Sequence, residues 1–148
     1  MPERKVAGER GSISDKGILG VPLVLIEIYD PIYKNTLLVG IGETDKAVVR
    51  RLEKLTKYKL TNEEAGMLAI RGDARSVIFE GGNRVMRLPK YEPTPYWIAT
   101  LAHEAYHVAT FLTDRAGIHR GEGSDEAVAY EVEFTVRKVL EKVMKGRK

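Results

Sequence analysis

An α+β fold is predicted by the order in which two kinds of pattern follow one another along the 148 residues. Short runs rich in β-branched residues come first, and two long segments with apolar residues at helical spacing come last. Strands that precede long helices, instead of alternating with them, predict a small antiparallel or mixed sheet with helices packed against it.

Length and composition indicate one ordinary globular domain. Hydrophobic residues make up 43% of the chain and charged residues 30%, as is typical of globular proteins. Residues 1–19 mix charge, Gly and Ser without a period, so we predict a flexible N-terminal arm there and a single domain at 20–148. The chain has no cysteine, which excludes disulfides and thiolate metal ligands.

Charge and hydropathy narrow the classes of partner. The net charge of +3 is small, and the basic residues are dispersed, which disfavours nucleic-acid binding. The longest apolar run is too short to cross a bilayer, and no secretory pattern is recognised. The expectation is a cytoplasmic protein with no membrane contact, and the oligomeric state is left open.

The first part of the chain contains the strand patterns. Runs at 21–30 and 37–43 are joined by the polar link PIYKNT, as neighbouring strands are. A helix is predicted to begin at Thr44 or Asp45, and GMLAI (66–70) fits either a strand or a helix. The stretch RSVIFEGGNRVMRLPKY predicts a hairpin, because residues such as Gly81, Gly82 and Asn83 can supply positive φ at low steric cost.

Two helices are predicted in the last part. Thr94 suits an N-cap and Pro95 the first helical position, so a helix is predicted over about 95–114, ending before Gly117. A second helix is predicted from Ser124 onward. The apolar positions predicted to face the core are Ile98, Leu101, Ala105, Val108 and Leu112 in the first helix, and Ala129, Val132, Val136, Val139 and Val143 in the second.

The first of these helices carries the motif H-E-x-x-H, formed by His103, Glu104 and His107. Residues four apart lie one above the other on a helix, so both imidazoles can bind one metal ion. The neighbouring glutamate can then act as general base toward a water that the metal activates. The competing interpretation is two surface histidines on a solvated helix face.

The motif and the acidic segment SDEAVAY after it resemble the gluzincins, metallopeptidases whose third metal ligand is a glutamate on the helix that follows H-E-x-x-H. The resemblance implies one Zn²⁺ held by His103, His107 and Glu126, with Glu104 as the base. Asp125 and Glu122 remain rival ligands. The chain is also similar to small phage-type proteins with the same motif, short linker and acidic helix, which implies a host-cell location if it is phage-encoded.

A peptidase also needs to stabilise an oxyanion and to hold its substrate. His119 and Tyr130 are the candidates for the oxyanion, followed by Tyr106 and Arg115. Zincins lay the substrate along a strand edge, and the run just before the motif helix is the candidate edge; an interior hairpin strand fits its pattern equally well. That run consists of Arg84, Val85, Met86, Arg87 and Leu88.

The function predicted from the sequence is a zinc-dependent metallopeptidase that cleaves a peptide or protein substrate with a metal-activated water. The alternative is a non-catalytic binding or structural protein on a zincin-like scaffold, for which the resemblance implies a phage origin. Replacing Glu104 with Gln separates the two, because only the enzyme loses an activity.

Overall fold

The computed structural model of the chain describes residues 24–70, 72–79, 81–119, 121 and 123–145. The N-terminal arm predicted at 1–19 and the rival ligand Glu122 lie outside the described residues. No helix within the described part is long and apolar enough to cross a membrane.

A four-stranded mixed sheet forms the centre of the fold and confirms the α+β class. Its strands are β1 (Val24–Asp30), β2 (Asn35–Ile41), β3 (Arg75–Ile78) and β4 (Arg84–Leu88). The order across the sheet is β1-β2-β4-β3. Two antiparallel pairs, β1 with β2 and β3 with β4, are joined by a parallel pairing of β2 with β4.

Both antiparallel pairs are hairpins whose turns follow from local chemistry. In the first turn, Asp30 Oδ1 accepts hydrogen bonds from the backbone N–H groups of Ile32 (2.8 Å) and Tyr33 (3.0 Å), as an Asp at the start of a turn does. In the second, Gly82 adopts φ +93° and its N–H donates to the carbonyl of Phe79 at 2.7 Å. The predicted hairpin is therefore confirmed.

The prediction that residues 84–88 form an edge strand is wrong. β4 pairs with β2 on one side and with β3 on the other, and all five of its residues are buried. The edges of the described sheet are β1 and β3. Arg84 and Arg87 of this strand are buried, because each has polar partners elsewhere in the chain.

In the described part of the chain, four helices cover the two faces of the sheet. They are α1 (Asp45–Thr56), α2 (Asn62–Met67), α3 (Pro95–Arg115) and α4 (Asp125–Lys145). Thr44, Thr61 and Thr94 are the N-caps of the first three, and each hydroxyl accepts a hydrogen bond from a backbone N–H in the first turn. The ambiguous stretch 66–70 begins as the end of α2 and then leaves the helix.

Each face of the sheet has its own apolar core, because successive strand residues point to opposite sides. Val39, Met86 and Leu88 pack with α3 and α4, whereas Leu38 and Val85 pack with α1. The α1 side approaches the sheet closely at Gly40, where an added Cβ would lie 2.9 Å from Val48 Cγ2. Gly40 therefore permits this approach.

The predicted inward stripes of α3 and α4 are correct only in part. Leu101, Ala105, Val108 and Leu112 are buried, and so are Val139 and Val143. Ile98 and Ala129 are exposed instead, and Val132 and Val136 are half-buried. On α4 the buried face is formed by Glu131, Thr135, Val139 and Val143 at intervals of four, so a carboxyl group and a hydroxyl group point into the fold.

Candidate metal centre

The motif helix α3 is fixed at its N-terminal end by polar and aromatic contacts. Thr94 Oγ1 accepts from the Trp97 N–H at 3.2 Å, and the indole Nε1 of Trp97 donates to the Pro89 carbonyl at 3.0 Å. The Trp97 ring meets Tyr91 edge-on, with centroids 4.8 Å apart. These contacts tie the start of α3 to the end of β4 and so set the position of the motif two turns later.

His103 and His107 lie together on the exposed side of α3. Their Nε2 atoms are 3.2 Å apart, and the His107 ring lies over Phe111 with centroids 6.5 Å apart. With two Zn–N bonds of about 2.0–2.1 Å, the separation of 3.2 Å corresponds to an angle of about 100–105° at the metal. This is close to tetrahedral, so the distance between the two nitrogens is one that a shared zinc ion would accept.

Glu104 points to the other side of the motif, toward the sheet. Its side chain is only 7% exposed, and its Oε1 accepts a hydrogen bond from Ser76 Oγ at 2.6 Å. Ser76 belongs to β3, the edge strand of the sheet. The carboxylate is thus held between the motif helix and a strand edge.

α3 runs alongside the whole β3 segment in the same direction. Three contacts in ascending order mark this path: Tyr96 Oη with Asp73 Oδ2, Glu104 with Ser76, and Arg115 Nη2 with the Gly81 carbonyl at 3.3 Å. The edge strand nearest to the motif is therefore β3. From the sequence, β4 was the candidate for this edge strand.

An apolar groove lies on the opposite flank of the histidine pair, between α3 and α4. Its volume is about 590 Å³. Tyr106, which directly precedes His107, lines one wall, and Asp125, Val128, Val132 and Val136 line the other. The histidines are consequently flanked by a strand edge on one side and by an apolar groove on the other.

The predicted third ligand is not gathered with the histidines in the described part of the chain. Within residues 24–70, 72–79, 81–119, 121 and 123–145, no group of three or more His, Cys, Asp or Glu side chains is placed to hold a metal ion. Glu126 is exposed in the first turn of α4. Asp125 lines the groove that contains Tyr106, and Glu126 lies about 100° further round the helix.

The predicted oxyanion groups are also on the surface. His119 is exposed in the segment between α3 and α4. Tyr130 is about half exposed on α4, and the groove is lined without it. Arg115 contacts the β3–β4 turn at Gly81, two turns beyond His107. Of these candidates, Tyr106 alone adjoins both the motif and the groove.

Sequence reasoning missed a buried ionic cluster beneath α3 and α4. Asp30, Arg84 and Glu131 are 2%, 3% and 1% exposed. Arg84 Nε donates to Asn35 Oδ1 at 2.7 Å, and its Nη1 donates to the Val108 carbonyl at 3.0 Å. One signal in the sequence could have indicated that Glu131 is buried: it lies at intervals of four from Val139 and Val143 on the same helix. Its partners Asp30 and Arg84 could not be predicted in this way, because they lie far away in the sequence.

Burial governs the protonation of this cluster. Desolvation raises the pKa of Glu131 to about 8, and the hydrogen bond and negative charge of Asp30 act in the same direction, against the opposing charge of Arg84. Desolvation also raises the pKa of Tyr33, with Glu131 and Asp30 adding to it. Because Oε2 of Glu131 has no hydrogen-bond partner in the described structure, the neutral acid is the favoured form at pH 7.

Comparisons with known proteins identify no relative of this chain. A scan against protein-family models, a search of curated proteins and a search of solved structures each found no match.

Proposed function

We propose that this chain is a zinc-dependent metallopeptidase of the zincin type. The observation that carries the proposal is the placement of H-E-x-x-H on α3: His103 and His107 have Nε2 atoms 3.2 Å apart, and Glu104 contacts the edge strand β3. A metallopeptidase uses a pair of chelating histidines, a carboxylate beside them and a strand edge near that carboxylate.

His103 and His107 would hold the ion, with a third ligand from the start of α4. Glu126 is the proposed third ligand and Asp125 its rival, and both are exposed in the first turn of that helix. Zinc, when bound at such a site, polarises a carbonyl oxygen and lowers the pKa of water.

Glu104 is the proposed general base. It would accept a proton from the attacking water and then give that proton to the amine that leaves when the peptide C–N bond breaks. Ser76 holds one oxygen of the Glu104 carboxylate at 2.6 Å, which leaves the other oxygen to take the proton.

The surroundings of the motif suggest how a substrate would be held. The outer edge of β3 can pair with an extended peptide through main-chain hydrogen bonds. The groove beside Tyr106 offers an apolar wall of Val128, Val132 and Val136 for a substrate side chain. The proposed substrate is therefore an extended peptide segment with an apolar residue near the cleaved bond.

Metal binding is tested by titrating the chain with Zn²⁺ in a calorimeter. Replacing His103 or His107 with Ala should weaken zinc binding at least about 100-fold, since one of two chelating imidazoles is lost. His119→Ala is the matched control, because His119 is the third histidine and is exposed outside the motif. Equal losses in all three variants would contradict a specific pair.

Hydrolysis is tested separately, by mass spectrometry of a mixture of extended peptides incubated with the zinc-loaded chain. Glu104→Gln should retain zinc and lose cleavage by about 10²-fold or more. Glu126→Ala and Asp125→Ala, compared for zinc affinity, identify the third ligand. Cleavage that persists in zinc-loaded Glu104→Gln would remove the proposed base.

A second candidate function is peptide binding without cleavage on the same scaffold. The observation that favours it is that Glu104 is nearly buried and already bonded to Ser76. In that case the wild type and the Glu104→Gln variant bind peptides alike, and neither cleaves them.

A further inference from the structure

On the side of the sheet away from β3, the outer strand β1 has an edge that no other described strand covers. β1 spans seven residues and pairs with β2 alone among the described strands. Unpaired main-chain N–H and C=O groups along an edge of this length are a template for another extended segment. Tyr29 adds a side chain that is 57% exposed beside this edge.

A groove of about 260 Å³ runs between this edge and the last turns of α4. Its strand wall is residues 26–29, and its helix wall contains Lys138, Lys142 and Lys145. Because these lysines are separated by four and three positions, they lie on one stripe of the helix, about 10 Å long.

The lysines that line the groove are not neutralised by the acidic residues that line it. Its two acids are engaged: Glu27 pairs with Arg51 at 2.7 Å and Glu141 with Arg137 at 3.7 Å. By contrast, none of the three lysines forms an ion pair with a residue in the described ranges. Lys138 Nζ lies 5.7 Å from the Phe134 ring centroid, so Lys142 and Lys145 are the more available cations.

We propose that the β1 edge and this lysine row together bind an extended acidic segment of a partner protein. Strand pairing with β1 would supply main-chain hydrogen bonds, and acidic side chains would meet the lysines. Alternate side chains on one face of a strand are about 6.6–6.8 Å apart, so two or three of them span the row. This surface is separate from the proposed metal centre, which adjoins β3.

The experiment is an NMR titration of the ¹⁵N-labelled full chain with a blocked seven-residue peptide of alternating glutamate and valine. Backbone amide shifts are expected in β1 and in the last turns of α4. The β1 amides that point away from β2 should exchange with solvent several-fold more slowly. The same peptide with lysine in place of glutamate should cause neither change.

Charge reversal supplies the matched variants. Lys142→Glu with Lys145→Glu should weaken binding of the acidic peptide at least tenfold. Lys46→Glu with Lys54→Glu reverses two exposed lysines on α1, away from the groove, and should leave the affinity within about twofold of wild type. All variants are checked for an unchanged spectrum of α3, so that a folding defect is recognised.

Three results would overturn the proposal. The acidic peptide could leave the β1 amides unshifted. An oligothymidylate of equal charge could bind as well as the peptide while shifting only the lysine stripe, which would indicate a general polyanion surface. The β1 amides that point away from β2 could already be protected without peptide, which would mean that another part of this chain or a second copy, detected by sedimentation, covers the edge.

Discussion

The two faces of the sheet each bury one arginine of β4, but they neutralise it differently. On the α3–α4 face, Arg84 is buried together with two acids, Asp30 and Glu131. On the α1 face, Arg87 Nη1 contacts Asp45 at 2.9 Å, and that aspartate side chain is 54% exposed. Arg87 otherwise donates to the carbonyls of Leu68 and Glu43.

The acidic partner of Arg87 is therefore in contact with solvent, whereas the acidic partners of Arg84 are buried. Water can screen Asp45 whatever happens to Arg87, whereas Asp30 and Glu131 depend on each other and on Arg84. Arg84 also reaches the carbonyl of Val108, which directly follows His107. The α3–α4 face therefore couples the position of the candidate metal centre to a buried ionic cluster, and the α1 face does not.

Among the substitutions that test this difference between the two faces, the loss of Arg84 is expected to have the largest effect. Arg84→Ala should lower the free energy of unfolding by about 3–5 kcal/mol, because it leaves the buried carboxylate of Asp30 without its cation. Arg87→Ala should cost less, about 2–3 kcal/mol, through carbonyl groups left without a donor. Urea unfolding of both variants at pH 7 measures the order, and a greater loss in Arg87→Ala would contradict the distinction.

The second prediction concerns pH. Burial raises the pKa of Glu131 from 4.5 to about 8, so the folded protein holds a proton that the unfolded chain releases. Stability should then be greatest below about pH 4.5 with respect to this group and should fall toward pH 8. The slope is at most one proton, or about 1.4 kcal/mol per pH unit.

Glu131→Gln removes this titration and should flatten the curve between pH 5 and pH 8. Glu133→Gln is the control, since Glu133 is exposed on the same helix and its loss should leave the slope in place. Urea unfolding at several pH values makes the measurement. Parallel slopes in wild type and Glu131→Gln would assign the pH dependence to other groups.

The third prediction concerns how closely α1 packs against the sheet. Gly40→Ala places a methyl group 2.9 Å from Val48 Cγ2, so α1 must shift, at a cost of about 1–3 kcal/mol. Gly66→Ala is the matched substitution, because a Cβ at Gly66, within α2, meets no atom within 4 Å. It should stabilise the protein by up to about 1 kcal/mol through helix propensity, as thermal unfolding would show.

The smallest effect is expected at the surface. Glu27 and Arg51 form a 2.7 Å ion pair with both side chains about two-fifths exposed. A double-mutant cycle with Glu27→Gln and Arg51→Gln should give a coupling of about 0.2–1 kcal/mol that decreases with added salt. A larger coupling, insensitive to salt, would mean that this pair behaves like the buried cluster.

Local signals in the sequence were sufficient for α1, α3, α4 and the second hairpin. Thr94 with Pro95 predicts the start of α3, and Gly81-Gly82 predicts the turn between β3 and β4, because cap and turn geometry depend on adjacent residues. The same holds for the H-E-x-x-H spacing on α3. The zincin identity of the site and its third ligand remain predictions.

Non-local partners account for what sequence patterns misassigned. The sequence of β4 is partly polar, yet the strand is interior. Arg84 donates hydrogen bonds to Asn35 and Val108, and Arg87 donates to Asp45 and Leu68. Likewise Val132 and Val136 suggest an inward stripe on α4, but Glu131 turns inward toward Asp30. Neither the interior position of β4 nor the inward position of Glu131 can be predicted from neighbouring residues in the sequence.

The parallel pairing of β2 with β4 also has a consequence for the rate at which the chain folds. Each hairpin closes over a short stretch, whereas the Asn35–Gly82 contact at this junction joins residues 47 apart. Closing so long a loop costs chain entropy before any contact is gained, and contacts of this range slow folding. The two hairpins are therefore expected to form first, and the docking of one against the other is expected to limit the folding rate.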